Sequence, residues 1–297
     1  MQRTDLHRHL DGSLRPSTLR ELALPLGVVI PPDLPFRPGM GLAAALERFR
    51  VTLAVLQTPD AVRRVASEIC EDAASEGVVA LEIRFAPQLH GGAALEEVVD
   101  AALDGVAGRA GVILCGLYGE PPALVDRLVA AAATRPGVVG IDLAGGPDSG
   151  HEWRLEDYAP AFERARDLGV GRTVHAGEGR DPAEIRRAIE VLHAQRIGHG
   201  TTLLEDPLLV DLVVERGIVL EACPTSNVHT GAIARVEDHP LPRWLELGVR
   251  ASICCDNTLL SQVDARTEHE RAARIPGMTP ERVRQAVANG LAAAFRR

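Results

Sequence analysis

The sequence has 297 residues, of which 46% are hydrophobic and 25% are charged, so it can bury a substantial core and lacks the composition of a disordered chain. Its formal net charge of -9 leaves no general basic surface for a phosphate backbone, which disfavours a nucleic-acid partner and favours small molecules. The sequence contains no lysine, which excludes chemistry that needs a side-chain amine, such as Schiff-base formation.

The cysteines and the first residues bear on the cellular compartment. Five cysteines without any C-x-x-C spacing argue against a disulfide framework and against a structural zinc ribbon. The opening residues, MQRTDLHRHLDG, lack the apolar core of a signal peptide, and no apolar run reaches membrane-spanning length. We therefore expect a cytoplasmic protein without a membrane partner, formed by one domain over residues 1–297, and the sequence leaves the oligomeric state open.

Strand-like and helix-like patterns alternate along the chain. Eight short apolar or β-branched runs predict strands at residues 5–9, 78–85, 112–117, 138–143, 172–175, 196–199, 218–222 and 250–254. Amphipathic stretches predict helices that include residues 61–74, 95–107, 122–133, 159–168, 182–194 and 207–215. Alternation of this kind is typical of a parallel sheet, and eight repeats in about 250 residues predict an α/β fold of one (β/α)8 TIM barrel.

The segment between the first two strands is too long for an ordinary connecting loop. Residues 31–60 begin with several prolines and contain a helical stretch at 42–56. We expect a helical lid over the mouth of the barrel, with a packing helix on the barrel flank as the alternative.

Histidines and an aspartate follow several of the predicted strands. His7 and His9 are two positions apart on an extended segment, so both imidazoles point to the same side, although so short a motif also fits two unrelated histidines. His175, His199 and Asp256 end the fifth, sixth and eighth runs, where a closed barrel gathers them around one axis.

Three histidines and one carboxylate suit a single Zn²⁺ or similar ion that leaves one position open for water. Such an ion lowers the pKa of a bound water to about 7, which supplies a nucleophile at neutral pH. Because the chain lacks lysine, it cannot bridge a second metal with a carboxylated lysine. We therefore expect one zinc ion per chain.

Glu178 lies three positions beyond His175 in the motif TVHAGE, close enough to share the site. A carboxyl group there can donate and accept protons during the reaction. The alternative is a carboxylate in the first turn of a helix, where it would interact with the helix dipole.

Seven motifs occur in an order and spacing that resemble the adenosine deaminase family along nearly the whole chain. They are DLHRHLDGSL, EIRFAP, GIDLAG, TVHAGE, RIGHGTTL, EACPTSN and CDN. The resemblance implies a metal site formed by His7, His9, His175 and Asp256. It implies three catalytic residues: Glu178, which protonates the purine ring at N1, His199, which orients or deprotonates the attacking water, and Asp256.

The same resemblance implies a set of residues that contact the substrate. They are Asp11 at a sugar hydroxyl, Gly145 beside the ring, Asn257 at N7, and Leu46 and Phe49 as an apolar gate in the lid. The implied reaction is hydrolytic removal of the 6-amino group of an adenine nucleoside.

Two other functions compete with this interpretation. A mononuclear barrel hydrolase of another cyclic amidine, amide or ester could share the metal ligands, but the combination of Glu178, Asp11 and Asn257 favours a purine. A non-catalytic relative would have lost a ligand or the glutamate, and the sequence retains both. The H-x-E…P-C-x-x-C signature of the other zinc deaminase class is missing from the sequence.

Three positions depart from the pattern of adenosine-specific family members. Tyr118-Gly119 replaces Arg-His, Gly146-Pro147 replaces an acidic pair, and Asn257 replaces a second aspartate. These departures resemble the branch that deaminates 6-aminodeoxyfutalosine in menaquinone biosynthesis, with adenosine as the competing substrate. The benzoate of that substrate would need an arginine near the mouth, and Arg48 and Arg50 are candidates unless they belong to a solvated helix face.

Overall fold

Eight parallel strands form the centre of the computed structural model, which describes residues 2–296. Each strand pairs with its neighbours in chain order, from the first to the eighth. In sequence they are β1 (Arg3–His9), β2 (Val78–Phe85), β3 (Gly111–Leu117), β4 (Val138–Ala144), β5 (Gly171–Ala176), β6 (Arg196–His199), β7 (Val219–Ala222) and β8 (Arg250–Ile253). The predicted (β/α)8 barrel is therefore confirmed.

Helices follow the strands; most cover the outside of the barrel, whereas α2 and α9 border its mouth. They are α1 (Pro16–Leu26), α2 (Leu42–Val55), α3 (Pro59–Ser75), α4 (Leu95–Val106), α5 (Pro122–Ala133), α6 (Ala159–Asp167), α7 (Ala183–Glu190), α8 (Pro207–Arg216), α9 (Pro224–His229), α10 (Leu241–Glu246), α11 (Ala265–Ala272) and α12 (Pro280–Ala293). Across residues 2–296, none of these helices combines the length and apolar character that a membrane crossing requires.

The outer and inner faces of the strands differ in chemistry. Side chains such as Ile83 on β2 and Ile141 on β4 are fully buried in one large apolar cluster between the sheet and the helices. Their neighbours Arg84 and Asp142 are equally buried but form an ion pair with each other. Because side chains alternate along a strand, the sheet separates an apolar outer layer from a charged interior.

The barrel closes where the segment after β8 meets β1. Asp256 forms a parallel bridge with Arg8. The His9 N–H donates to the Asp256 carbonyl at 2.8 Å, and the Asp256 N–H donates to the His7 carbonyl at 2.8 Å. Closure of the sheet therefore brings Asp256 beside two histidines that lie at the other end of the chain.

The opposite end of the barrel is filled by Phe295. The Arg196 guanidinium lies 3.7 Å from the centre of its ring. A side chain in place of Gly140 would begin 2.9 Å from a ring carbon of Phe295, so glycine is needed for this close approach.

Candidate metal centre and active site

Three histidines and one aspartate converge at the carboxyl ends of the strands. The Nε2 atom of His9 lies 3.3 Å from Nε2 of His7 and 3.3 Å from Nε2 of His175. The Asp256 Oδ1 atom lies 3.4 Å from Nε2 of His9 and 3.6 Å from Nε2 of His7. Ligands about 2.0–2.1 Å from a tetrahedral ion are separated by about 3.3 Å, so these four side chains fit one shared metal ion.

The pKa shifts of the candidate ligand histidines differ, since burial lowers the pKa of His175 but Asp142 outweighs this effect and the net shift is upward. Burial lowers the pKa of His7 and of His9 well below the usual value, which keeps these imidazoles neutral. A neutral imidazole is the form that binds a metal. Burial likewise lowers the pKa of His199, to about 4.

Two buried carboxylates orient the histidines. The His7 Nδ1 atom lies 2.7 Å from Oε2 of Glu221, and the His175 Nδ1 atom lies 3.1 Å from Oδ1 of Asp142. A carboxylate on Nδ1 favours the tautomer that carries its proton there and leaves Nε2 free for the metal.

Arg84 links these two carboxylates at the base of the site. Its Nη1 atom donates to Asp142 at 2.9 Å, and its Nη2 atom donates to Glu221 at 2.8 Å. Burial alone would raise the pKa of Asp142, but His175 and Arg84 outweigh it and hold this pKa below its usual range. The carboxylate therefore stays charged beneath the metal centre.

Sequence analysis did not find this supporting group, although EIRFAP, GIDLAG and EACPTSN contain its members. The available signal is three charged residues within strands whose neighbouring positions are apolar.

Two site residues adopt a backbone conformation that is unusual outside glycine. His199 has φ 68° and Asp256 has φ 63°. Residues with positive φ cluster at functional sites, and histidine and aspartate tolerate this region better than most. His199 is the last residue of β6, and Asp256 lies three positions after β8 in the bridge to Arg8, so both mark places where the chain leaves the barrel sheet.

The Glu178 carboxylate is buried and held by three neighbours. Its Oε1 atom accepts hydrogen bonds from Thr230 Oγ1 at 2.8 Å and Asn227 Nδ2 at 3.1 Å, and it lies 3.6 Å from His199 Nδ1. Burial raises the pKa of Glu178, but His199 and the Thr230 hydroxyl outweigh it and the net shift is downward. Because α7 begins at Ala183, Glu178 lies outside the first turn of that helix.

Asp256 and His199 are each held by a neighbour from α9. Ser226 Oγ donates to Oδ2 of Asp256 at 2.6 Å, which leaves Oδ1 toward the histidines. Burial raises the pKa of Asp256 to about 7. His199 Nδ1 lies 3.0 Å from Asn227 Nδ2. A ligand atom of His199 also lies within 4.8 Å of atoms of His7 and His175, so it borders the metal site.

A cavity of about 590 Å³ opens from the metal centre toward solvent. All five predicted substrate-binding residues line it: Asp11, Gly145, Asn257, Leu46 and Phe49. In the described part of the chain, Asp11 Oδ1 and Asn257 Oδ1 are buried without a hydrogen-bond partner. These two oxygens are therefore available to polar groups of a ligand.

Helix α2 forms one wall of this cavity. Phe49 is partly buried, and its ring centre lies 6.3 Å from that of His9. Leu46 is 46% exposed although it lines the cavity. The segment predicted as a lid therefore borders the site, whereas its opening and closing stay a prediction.

The positions that depart from the expected pattern line the same cavity, except Gly119, which lies behind the cavity residue His151. The Tyr118 hydroxyl donates to the His175 carbonyl at 3.0 Å, so it supports a metal ligand through its backbone. Gly119 has φ 89°, and a side chain there would begin 2.7 Å from the His151 ring. Pro147 also lines the cavity.

The two candidate arginines of the lid are engaged elsewhere. Arg48 donates to Asp33 at 2.9 Å, and Arg50 donates to Glu47 at 3.2 Å. Neither arginine is among the residues that line the cavity.

Comparisons with known proteins agree along the whole chain. A sequence profile of the adenosine deaminase family matches residues 2–297. The adenosine deaminase of Serratia proteamaculans is 38% identical over 315 aligned positions, covering 98% of this chain and 93% of that protein. The solved adenine deaminase from Arthrobacter aurescens has a TM-score of 0.89 at 26% identity, covering 99% of this chain and 94% of its own. The N6-methyl-AMP deaminase from Arabidopsis thaliana has a TM-score of 0.87 at 25% identity, covering 100% and 93%.

Proposed function

The chain belongs to the adenosine deaminase family, and we propose that it uses one zinc ion to remove the 6-amino group of an adenine nucleoside. It is a hydrolytic deaminase of adenosine-type substrates. The observation that carries the zinc proposal is the convergence of three histidines, Asp256 and Glu178 on one cavity.

Four residues would hold the ion: His7, His9, His175 and Asp256. Zinc suits a set of neutral imidazoles with one carboxylate, and when bound it supplies an acidified water. The absence of lysine supports one ion per chain, because no carboxylated lysine can bridge a pair.

The remaining polar residues transfer protons and orient the attacking water. Glu178 would give a proton to N1 of the purine as water adds at C6, and His199 and Asp256 would orient that water, take its first proton and pass it to N6. The C6–N6 bond then breaks and N6 leaves as ammonia. The proton of the new C6 hydroxyl returns to Glu178 as the 6-oxo group forms. Thr230 and Asn227 support the role of Glu178 because they fix one carboxylate oxygen and leave the other free.

Substrate contacts follow from the cavity wall. Asp11 would accept a hydrogen bond from a sugar hydroxyl, and the Asn257 side-chain amide would donate one to N7. The Gly145 backbone would lie beside the ring. Leu46 and Phe49 would form the apolar gate. The relatives named above are called deaminases of adenosine, adenine and N6-methyl-AMP, which share a purine with a nitrogen substituent at position 6. This supports a purine over another cyclic amide or ester.

The preferred nucleoside is 6-aminodeoxyfutalosine, which would place the protein in menaquinone biosynthesis. Support comes from Tyr118, Pro147 and Asn257, which replace residues of adenosine specialists and line the cavity, and from Gly119, which lies against the cavity residue His151.

We also propose that residues 1–297 form one domain, because its first and last strands close the same barrel. The cytoplasm is the proposed compartment, and the five buried free thiols fit its reducing conditions.

A substrate panel followed by purine absorbance tests this function. The kcat/KM for 6-aminodeoxyfutalosine should exceed that for adenosine by at least about tenfold, since a hydrogen bond to a charged group contributes about 1.5–3 kcal/mol. A higher value for adenosine would remove the specialised substrate and leave an adenosine deaminase. Absence of turnover with every 6-aminopurine nucleoside in zinc-loaded protein would overturn the proposed reaction.

A further inference from the structure

We propose that Arg180 binds an anionic substituent of the substrate, which makes the enzyme selective for adenine nucleosides that carry a carboxylate or a phosphate. This inference rests on the proposed function and assigns a residue to a part of the substrate that the metal centre does not recognise.

Among the described residues, only one of the three guanidinium nitrogens of Arg180 has a hydrogen-bond partner. Its Nε atom lies 3.0 Å from each carboxylate oxygen of Glu184. Its two terminal nitrogens, Nη1 and Nη2, are buried and have no hydrogen-bond partner within residues 2–296. The side chain lines the same cavity as Glu178 and three of the proposed metal ligands, His9, His175 and Asp256.

Buried donors without an acceptor are costly, and the cost is greater for a charged group. Native structures therefore supply an acceptor from the protein, from water or from a ligand. Two terminal nitrogens on one planar fork match the paired oxygens of a carboxylate or phosphate. The free half of the Arg180 guanidinium thus has the chemistry of an anion-binding site.

Gly146 creates the space that Arg180 occupies. A side chain at this position would begin 2.6 Å from Nη1 and 2.7 Å from the central carbon of the guanidinium. Any larger residue would displace the arginine. The departure from an acidic residue at position 146 therefore has a physical consequence, because it removes a negative charge and admits a positive one.

The other carboxylates of the cavity wall do not occupy the terminal nitrogens of Arg180. The Asp148 Oδ1 atom accepts instead from the Gly150 N–H at 2.7 Å. Glu178 is committed to Thr230 and Asn227 through one oxygen and faces the metal centre with the rest of the site.

The space for a substituent beside this arginine is the main cavity of about 590 Å³, which Arg180 lines. A neighbouring cavity of about 300 Å³ shares Tyr118, Pro147 and Asp148 with it and is lined by Glu184, the partner of Arg180.

The test compares three substrates: adenosine, adenosine 5′-monophosphate and adenosine 5′-carboxylate. In the zinc-loaded protein, kcat/KM should favour at least one anionic substrate over adenosine by at least about tenfold. Arg180→Gln should lower this ratio by about 10- to 100-fold, and Arg180→Lys should restore part of it. The anionic substrate with the higher kcat/KM shows whether the site is built for a phosphate or for a carboxylate.

Arg50→Gln is the matched control, because it removes an arginine charge from α2 outside the cavity and should leave the ratio unchanged. Thermal unfolding of each variant verifies the fold. A ratio that is unaffected by Arg180→Gln, or equal turnover of all three substrates, would overturn the anion site while leaving the deaminase proposal intact.

A binding measurement separates the two proposals. Calorimetric titration of metal-free protein with inosine 5′-monophosphate, inosine 5′-carboxylate and inosine requires no turnover. At least one anionic ligand should bind at least about tenfold more tightly than inosine in the wild type, and Arg180→Gln should remove this difference. If no nucleoside is deaminated but this preference holds, the proposed function fails and the anion site stands.

Discussion

The Glu178 carboxylate gives the most direct test at the scale of single residues. Glu178→Gln keeps the size of the side chain and its hydrogen bond from Thr230, but it removes the transferable proton. We expect kcat to fall at least about 100-fold with metal content and unfolding temperature retained. Glu163→Gln, an exposed carboxylate on α6, should leave kcat unchanged. Turnover of Glu178→Gln close to the wild type would contradict the proton-transfer role.

Sequence reasoning at this scale predicted the side chains that end strands better than those that lie inside the barrel. His7, His9 and His175 carry recognisable spacing, and the structure brings them together. Arg84 and Glu221 are 137 positions apart, and nothing local to either residue indicates the hydrogen bond between them. The positive φ of His199 could not be predicted either, because it follows from how the chain leaves β6 and not from the residue type.

At the scale of strands and helices, the test concerns the buried charged residues beneath the site: Arg84 on β2, Asp142 on β4 and Glu221 on β7. Asp142→Asn should leave an oxygen facing His175 but remove the charge that stabilises its Nδ1 proton. We expect metal affinity to fall about 10- to 100-fold, measured by titration against a chelator of known affinity.

Two measurements distinguish this effect from general destabilisation. Denaturant unfolding of the metal-free variant reports the stability of the fold without the ion. Asp142→Glu keeps the charge and should recover part of the affinity. Unchanged metal affinity in Asp142→Asn would show that the carboxylate does not position the histidine.

The alternating pattern predicted each strand, but it was less accurate for helices. Helix α7 ends at Glu190 instead of residue 194, because His193 has φ 52° and cannot continue the helix. Helices α9 and α10 each have six residues, which is too short for a helical period to be recognised. Helix α9 nevertheless supplies Ser226, which hydrogen-bonds Asp256. A helix that contributes to the site was therefore missed because it is too short to show a helical period.

Metal binding should affect the whole molecule, because the proposed ligands come from β1, from β5 and from the residue that closes the barrel. Elemental analysis should give about one zinc-like ion per chain. Removal by a chelator should abolish activity and lower the unfolding temperature, and zinc should restore both. At a free zinc concentration of about 1,000 times Kd, the ion adds about 4 kcal/mol to the free energy of unfolding.

This prediction concerns the number of metal ions per chain as well as their effect on activity and on the unfolding temperature. Two equivalents of metal in active protein would contradict the mononuclear site, and full activity after exhaustive chelation would contradict a metal requirement. Calorimetry of the metal-free and zinc-loaded protein measures the stabilisation directly.

At this largest scale, the eight repeats predicted the barrel and the order of its strands. They did not predict that its interior is charged, since alternation shows which residues share a face but not which face points inward in a closed sheet. Neither did they predict the Phe295 side chain beneath it, because a lone aromatic residue near the end of the sequence has no periodic partner.

Closure between β1 and the segment after β8 also affects when the site can form during protein synthesis. Cys255 donates its N–H to Asp5, which lies 250 positions earlier, and Asp256 follows immediately. A nascent chain still missing β8 can present His7, His9 and His175, but it lacks the carboxylate and the closing contacts. Since domains are completed as the chain emerges from the ribosome, firm capture of the proposed ion must wait until the last strand has been released. Loading of the proposed metal is therefore expected to be post-translational.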